Sequence, residues 1–220
     1  MKKTLLILVA MAALWSCNNH KKETTGVAQP AQIKKIVDSM LVTDSGWGAI
    51  TPRTDFTGLQ NIFGAASVKD ERICGPECID SIDVTKIYPG TNKEIVVYWR
   101  DSFYHKQIVY LQNSEEGSPY RTPTGLKVGS TLKELLDLNG QKISFSGFGW
   151  DYGGYIQSFN KGSLDSSSVH FRLDLTENDD NSLFGDIDLN TDLPAVKKSL
   201  EKIKVYQISL TLFNDPLHEH

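Results

Sequence analysis

The sequence is poor in cysteine and, after its first residues, has no long apolar run. Its three cysteines are too few for a disulfide-rich scaffold. No internal stretch approaches the roughly eighteen apolar residues that indicate a transmembrane helix. Also missing are the Gly-x-Ser-x-Gly turn of hydrolases and the His-Glu-x-x-His pair of zinc proteases. Without such a motif, we expect no metal and no other cofactor.

The chain also has fewer basic than acidic residues. The chain has 23 Lys and Arg against 27 Asp and Glu, so its formal net charge is −4. An acidic surface repels the phosphates of nucleic acid, and we therefore expect no nucleic-acid partner.

The start of the sequence has the layout of an export signal. Lys2 and Lys3 precede an apolar run from Leu5 to Leu14. As a helix this run reaches about 15 Å, half of the ~30 Å hydrocarbon core of a membrane, so it is too short to span one. The layout predicts a signal peptide that is removed.

The segment that closes this run, Leu14-Trp15-Ser16-Cys17, resembles the lipobox of bacterial lipoproteins. The resemblance implies that residues 1–16 are a lipoprotein signal peptide and that Cys17 carries the acyl chains. Asn18, where an aspartate would favour the inner membrane, favours the outer membrane. The alternative is an ordinary secreted protein in which Cys17 has no special role.

Beyond the signal, the sequence predicts a tether and two halves. Residues 17–30 contain the lipidated cysteine and a polar spacer. Apolar residues then recur at helical spacing, which predicts an N-terminal helix over residues 31–42. We assign residues 31–115 to the first half and residues 116–220 to the second. The second half adds a C-terminal helix, opened by Asp192 and Pro194, that carries Val196, Leu200 and Ile203.

The two halves match each other at a constant offset of 76 residues. Asp55 precedes a short helical pattern that is closed by Gly64, and Thr131 precedes one that is closed by Gly140. In both patterns the apolar residues fall at equivalent positions, such as Leu59 and Leu135. The match predicts two tandem units.

Alternation of apolar and polar residues predicts antiparallel strands at residues 169–175 and 206–212. Residues 94–100 and 105–111 predict a hairpin with its turn between them. The predicted fold class is therefore α+β, with two tandem helix-plus-antiparallel-sheet repeats and an added N-terminal and C-terminal helix.

A capped short helix that ends at glycine and leads into antiparallel strands, repeated in tandem in an exported chain, resembles a known fold. It is the fold shared by the assembly lipoprotein BamE and the β-lactamase inhibitory proteins. The second half, from Gly129 to Gly154, is also similar to an uncharacterised group of bacterial envelope proteins. The likeness covers about residues 50–176. It implies a binding or assembly role with the sheet as contact face.

Cys74 and Cys78 remain once Cys17 is assigned to lipid. Three residues separate them, whereas a thioredoxin-type redox pair has two intervening residues at the start of a helix. In an oxidising compartment such a pair favours a structural disulfide, which we predict, with redox activity as the alternative.

Two other patterns are candidate ligand sites. The segment from Asp186 to Asp192 has oxygen ligands at alternate positions, but Thr191 and Lys197 replace the glycine and glutamate of an EF-hand. It favours a short strand, with calcium binding as the alternative. His105 and His170 have no partner at ligand spacing.

The segment from Phe145 to Tyr155 is the main candidate site. Phe148, Trp150 and Tyr152 fall on one face of an extended chain, beside glycines and Asp151 on the other. Two interpretations stay open. The aromatic residues pack in the core, or they form a contact patch for another protein, because Trp and Tyr contribute much of the binding energy of interfaces. The patch would comprise Phe148, Trp150, Asp151 and Tyr152.

The sequence thus predicts a non-enzymatic lipoprotein, anchored by lipid to the outer membrane on its periplasmic side or at the cell surface. It would bind, assemble or inhibit another envelope protein. The alternatives are an envelope hydrolase whose site assembles only in three dimensions, and a small-ligand carrier with a closed apolar pocket.

Replacement of the acylated cysteine tests the lipid anchor. We expect Cys17→Ser to move the protein from the membrane fraction to the soluble envelope fraction, because the acyl chains supply the membrane affinity. Fractionation with immunoblotting, together with incorporation of labelled palmitate, measures this. Unchanged fractionation and an unlabelled wild-type protein would contradict the lipoprotein prediction.

Overall fold

The structure is a computed structural model that describes residues 38–75, 78–175 and 181–213. All of these residues fall within one unit, Ile36–His220. The predicted signal peptide, Cys17 and tether lie outside the described residues. Within the described ranges, no helix combines the length and the apolar character needed to cross a membrane.

Most of the regular secondary structure of the described chain is β-strand. It contains eleven strands, which form three antiparallel sheets, and three short helices. The strands are β1 (Val42–Thr43), β2 (Gly46–Trp47), β3 (Val68–Cys74), β4 (Ser81–Ile87), β5 (Ile95–Trp99), β6 (Ile108–Asn113), β7 (Ser144–Ser146), β8 (Ile156–Ser158), β9 (Val169–Asp174), β10 (Asp188–Asn190) and β11 (Lys204–Thr211). The helices are α1 (Phe56–Phe63), α2 (Leu132–Asn139) and α3 (Pro194–Ser199).

Six strands form the large sheet, in the order β3-β4-β5-β6-β11-β9. A three-stranded sheet has the order β10-β7-β8, and β1 pairs with β2 alone. The predicted hairpin is confirmed as β5 and β6, with Tyr98 opposite Tyr110.

Helices α1 and α2 begin and end where the sequence predicts. The Asp55 carboxylate accepts the N–H of Gly58 at 2.9 Å, which caps α1. At α2, Thr131 and Glu134 satisfy each other's backbone N–H groups in a capping box. Gly140 ends α2 with φ of 68°, the left-handed conformation that glycine adopts without steric cost.

One face of the large sheet forms the core. Val97, Leu111, Leu210 and Val169 lie side by side on four neighbouring strands, and all four are buried. The equivalent helix residues Leu59 and Leu135 are both fully buried in the same hydrophobic cluster. Burial of this face against the helices and the smaller sheet removes its apolar side chains from water.

The predicted fold of two tandem helix-plus-sheet repeats is wrong. The helices are short, and strand pairing does not follow the two copies. The large sheet takes four strands from the first half and then β11 and β9 from the second, while β7, β8 and β10 form a separate sheet. The pairing of β6 with β11 therefore joins the two predicted halves in one sheet.

The predicted terminal helices also need correction. Residues 31–37 of the N-terminal helix lie outside the described residues. Leu41 instead forms a bridge with Arg121, and the Val42 N–H donates to the Arg121 carbonyl at 2.8 Å. At the other end, α3 stops at Ser199, so Ile203 lies beyond it, and the Ile203 carbonyl accepts the N–H of Leu132.

Two smaller predictions are confirmed. Cys74 and Cys78 form a disulfide at the end of β3. The strand predicted after Asp186 is present as β10, in which Leu189 is buried between the exposed Asp188 and the half-buried Asn190.

Truncation of a buried helix residue tests the role of α2 in the core. We expect Leu135→Ala to lower the free energy of unfolding by about 2 to 5 kcal/mol, because the removed methyl groups leave a cavity. Leu138→Ala on the same helix is the control, since Leu138 is 39% exposed. Urea unfolding of both variants measures the difference, and equal losses would show that α2 does not dock as described.

Candidate functional site

The outer face of the large sheet carries tyrosines and polar side chains. Tyr98 and Tyr110 stack with their ring centroids 4.0 Å apart. In the neighbouring row, Gln112, Ser209 and His170 lie opposite one another on β6, β11 and β9. This face is aromatic and polar, in contrast to the aliphatic row that fills the core.

A β-bulge in β11 sets the orientation of two residues on this face. Val205 pairs with Leu173 and Gln207 with Arg172, so Tyr206 is the extra residue. Simple alternation predicts Tyr206 on the same face as Ile208, but Tyr206 is 43% exposed while Ile208 is buried. The bulge also places Gln207 on the outer face, beside Arg172.

The segment from Gly147 to Tyr155 is a loop between β7 and β8, close to this face. The Phe148 N–H donates to the Leu183 carbonyl at 2.9 Å, and the Gly147 N–H donates to the Ile187 carbonyl at 2.8 Å. A Cβ atom on Gly147 would lie 2.5 Å from the Gly185 carbonyl oxygen, so only glycine permits this approach. Backbone contacts therefore hold one end of the loop in place.

Arg172 holds the other end of the loop. Its guanidinium donates to the Gly153 carbonyl at 2.8 Å and to the Asp151 carbonyl at 2.7 Å. The same group lies over the ring of Tyr155, 4.5 Å from the centroid, and 5.8 Å from the centroid of Tyr206. One side chain thus connects the loop to β9 and β11.

We use the name aromatic surface for the group formed by Trp150, Tyr152, Tyr155, Arg172 and Tyr206. The ring centroids of Trp150 and Tyr152 are 5.5 Å apart, and those of Tyr152 and Tyr155 are 6.5 Å apart. Tyr152 is 53% exposed and Tyr155 is 43% exposed. The aromatic surface is therefore continuous and open to solvent.

The structure separates the four residues of the predicted contact patch. Phe148 is buried, and its ring lies between those of Phe145 and Phe184. Trp150 is half-buried, and its indole N–H donates to the Gly147 carbonyl at 2.9 Å. Asp151 and Tyr152 are exposed.

Three residues of the aromatic surface are not indicated by the sequence patterns: Tyr155, Arg172 and Tyr206. Arg172 and Tyr206 are far from the loop in sequence, so no local spacing connects them to it. Tyr155 ends the predicted segment, and it meets Arg172 through an isolated bridge and a cation–π contact, neither of which local spacing indicates.

A cleft of about 290 Å³ lies beside the aromatic surface. We use the name sheet cleft for it. Its apolar lining consists of Tyr110, Tyr155, Ile156, Phe159 and Phe171. Its polar lining consists of Gln112, His170, Gln207 and Ser209. Burial raises the pKa of the Tyr110 hydroxyl well above its usual range, so this group is neutral at physiological pH.

The other candidate ligands do not come together. Among residues 38–75, 78–175 and 181–213, no group of three or more His, Cys, Asp or Glu is placed to hold a metal ion. His105 lies 3.5 Å from the carboxylate of Asp70, whereas His170 lies in the sheet cleft.

Replacement of Arg172 tests whether this side chain orders the loop between β7 and β8. We expect Arg172→Met to lower the free energy of unfolding by about 1 to 3 kcal/mol, since two carbonyls lose a charged donor. The amides of Gly153 and Gly154 should also exchange faster with solvent. Arg72→Met is the control, because Arg72 forms an exposed ion pair with Asp83, and such pairs contribute about 0 to 1 kcal/mol. Hydrogen exchange and urea unfolding measure both effects, and unchanged loop exchange in Arg172→Met would contradict the assignment.

No protein-family model matches this chain, and no curated protein matches it. Among solved structures, it is similar to the crystal structure of the uncharacterized protein yfeY from Escherichia coli, at 14% identity and a TM-score of 0.41. The likeness covers 77% of this chain and 98% of that one. These comparisons give no support to the resemblance to BamE, which stays a prediction.

Proposed function

We propose that this protein is a non-enzymatic lipoprotein of the bacterial cell envelope that binds another envelope protein through the aromatic surface. The observation that carries the proposal is the arrangement of Trp150, Tyr152, Tyr155 and Tyr206 around Arg172. Trp, Tyr and Arg are the residue types that contribute most to binding energy at protein interfaces. Here all three types meet on one exposed surface.

The loop is suited to this role because its geometry is fixed before a partner arrives. Arg172 and the contacts of Gly147 and Phe148 order its backbone. Ordering a mobile loop on binding would reduce affinity, whereas a pre-ordered loop avoids that cost. Its aromatic side chains also have only two rotatable bonds each, so little side-chain entropy is lost on contact.

The charges that border the aromatic surface indicate which partners are favoured. Asp151 and Asp174 line an open groove that also contains Trp150, Arg172 and Tyr206. The guanidinium of Arg172 is occupied by backbone carbonyls and rings. The groove therefore contains two carboxylates and one guanidinium, and this excess of negative charge favours a partner with basic groups around an apolar contact.

The rival hypothesis, an envelope hydrolase, has less support at this site. Hydrolases bring a general acid and a general base together beside the reacting bond. No carboxylate belongs to the described residues that line the sheet cleft. In the groove, Asp151 and Asp174 are present without a histidine among the described lining residues.

Attachment to the outer membrane through Cys17 belongs to the same proposal and depends on the lipobox resemblance alone. An anchored body with a spacer of about a dozen residues would meet partners within the envelope. Assembly of a larger complex and inhibition of the partner are both forms of this binding role.

Site-specific photo-crosslinking tests the proposal in living cells. A photoreactive phenylalanine analogue replaces Tyr152 in one variant and Tyr104 in the control. Tyr104 is 65% exposed and lies outside the aromatic surface. We expect a discrete adduct of higher mass at position 152, abolished when Tyr155 and Tyr206 are both replaced by Ala, because hot-spot losses reach about 2 kcal/mol or more per residue.

Two outcomes would contradict the proposal. Adducts of equal yield at positions 104 and 152 would show random contact, and a complete absence of adducts at position 152 would exclude a stable partner at this surface. Mass spectrometry of the adduct then identifies the partner protein.

A further inference from the structure

One polar side chain in the sheet cleft has no partner within the protein. Gln207 is only 7% exposed, yet its amide makes no hydrogen bond to any other described residue. A buried amide without a partner opposes folding, so proteins rarely retain one. Gln207 lines the sheet cleft, and its amide atoms are not among those fully sealed from solvent. The open side of this buried amide is therefore the cleft.

The neighbours of Gln207 extend the same pattern. Gln112, Ser209 and His170 also line the cleft, and their side chains make no hydrogen bond to another described residue. They lie side by side on β6, β11 and β9, so the rigid sheet fixes their spacing. Four side chains thus present free donors and acceptors to a single space.

The described lining of the cleft carries no charge at neutral pH. It contains no Asp, Glu, Lys or Arg. Desolvation lowers the pKa of His170 below its usual range, against the opposing charge of Asp44, so the imidazole is neutral. No charged side chain lines the cleft, so a charged ligand would form no direct ion pair with the lining, and the lining favours a neutral ligand.

The remaining walls are rings and apolar side chains. Tyr98 stacks on one face of Tyr110, and the guanidinium of Arg172 lies over one face of Tyr155. At most one face of each ring is therefore left to attract the C–H groups of a ligand through its partial negative charge. The volume of about 290 Å³ lies at the lower end of the ~300 to ~1,000 Å³ typical of ligand pockets. The space therefore fits one or two small rings and no large cofactor.

A ligand that fits must be neutral and must combine many hydroxyl or amide groups with an apolar ring face. Pyranose sugars have this combination, because their equatorial hydroxyls project around the ring while C–H groups cover its faces. We propose that the sheet cleft binds a neutral saccharide, with a sugar ring against Tyr110 and Tyr155 and its hydroxyls hydrogen-bonded to Gln112 and Gln207.

This site is distinct from the protein contact of the proposed function. Gln207 and Gln112 face the cleft, and neither belongs to the aromatic surface. Tyr155 contributes to both, so a bound sugar would lie next to the surface that contacts a partner protein. Saccharide binding is measured with purified protein and no partner. Its result is therefore independent of the crosslinking experiment that tests the protein contact.

Calorimetric titration of the purified full-length protein tests the inference. The protein is held in an amine-oxide detergent, because glucoside and maltoside detergents would compete for the cleft. The neutral probes are cellobiose, maltose and N,N′-diacetylchitobiose, and N-acetylneuraminic acid is the anionic control. We expect at least one neutral probe to bind with a Kd of about 1 mM or lower and the anionic sugar to bind at least about tenfold more weakly.

Two glutamine variants separate ligand binding from folding. Gln207→Leu should weaken binding of that probe by about tenfold or more, since a site that hydrogen-bonds its ligand discriminates strongly when the bond is lost. Its melting temperature should stay equal or rise, because no internal hydrogen bond is removed. Gln60→Leu on α1 makes the same chemical change outside the cleft and should bind as the wild type does.

Three outcomes would overturn the inference. They are the absence of binding by all three neutral disaccharides, equal binding by Gln207→Leu and the wild type, and tighter binding of p-cresol than of any sugar. The last result would assign the cleft to a tyrosine side chain of a partner protein. A fall in the melting temperature of Gln207→Leu would show that the amide has a structural role.

Discussion

Strand β11 pairs with β6 along one edge and with β9 along the other, and the rest of the structure depends on this double pairing. Leu210 lies between Leu111 and Val169, so β11 completes the buried row that crosses the sheet. Without β11, the strands before it would end in an unpaired edge, and their apolar face would lose its neighbours. The outer face depends on the same strand, since Tyr206, Gln207 and Ser209 all belong to it.

The parts of the fold that the sequence predicts well are those whose causes are local. The start and end of α1 and α2 follow from side chains within three residues of the helix ends and from one glycine each. The β5–β6 hairpin and β10 follow from alternation over a few residues. The disulfide follows from two cysteines that are four positions apart.

The parts that the sequence predicts badly depend on distant partners. The match at 76 residues describes two similar local units, but it contains no information about which strands pair, and pairing decides the fold class. Met40 and Leu41 suit the periodicity of a helix, yet the backbone of this segment pairs with Arg121. The bulge at Tyr206 reverses the alternation predicted from the sequence, and Arg172 becomes part of the candidate site only through contacts with a loop about twenty residues earlier.

The position of β11 near the end of the described chain has a consequence for how the protein folds. Leu111 and Leu210 are about 100 residues apart in sequence, so their contact requires a large loop to close. Contacts of this kind slow folding, because the entropy of loop closure is lost before the contacts can compensate for it. The pairing of β6 with β11 also has to wait until residue 211 has been synthesised. For a chain with a predicted export signal, this delay favours an unfolded state during synthesis, which is the state that passes through a narrow export channel.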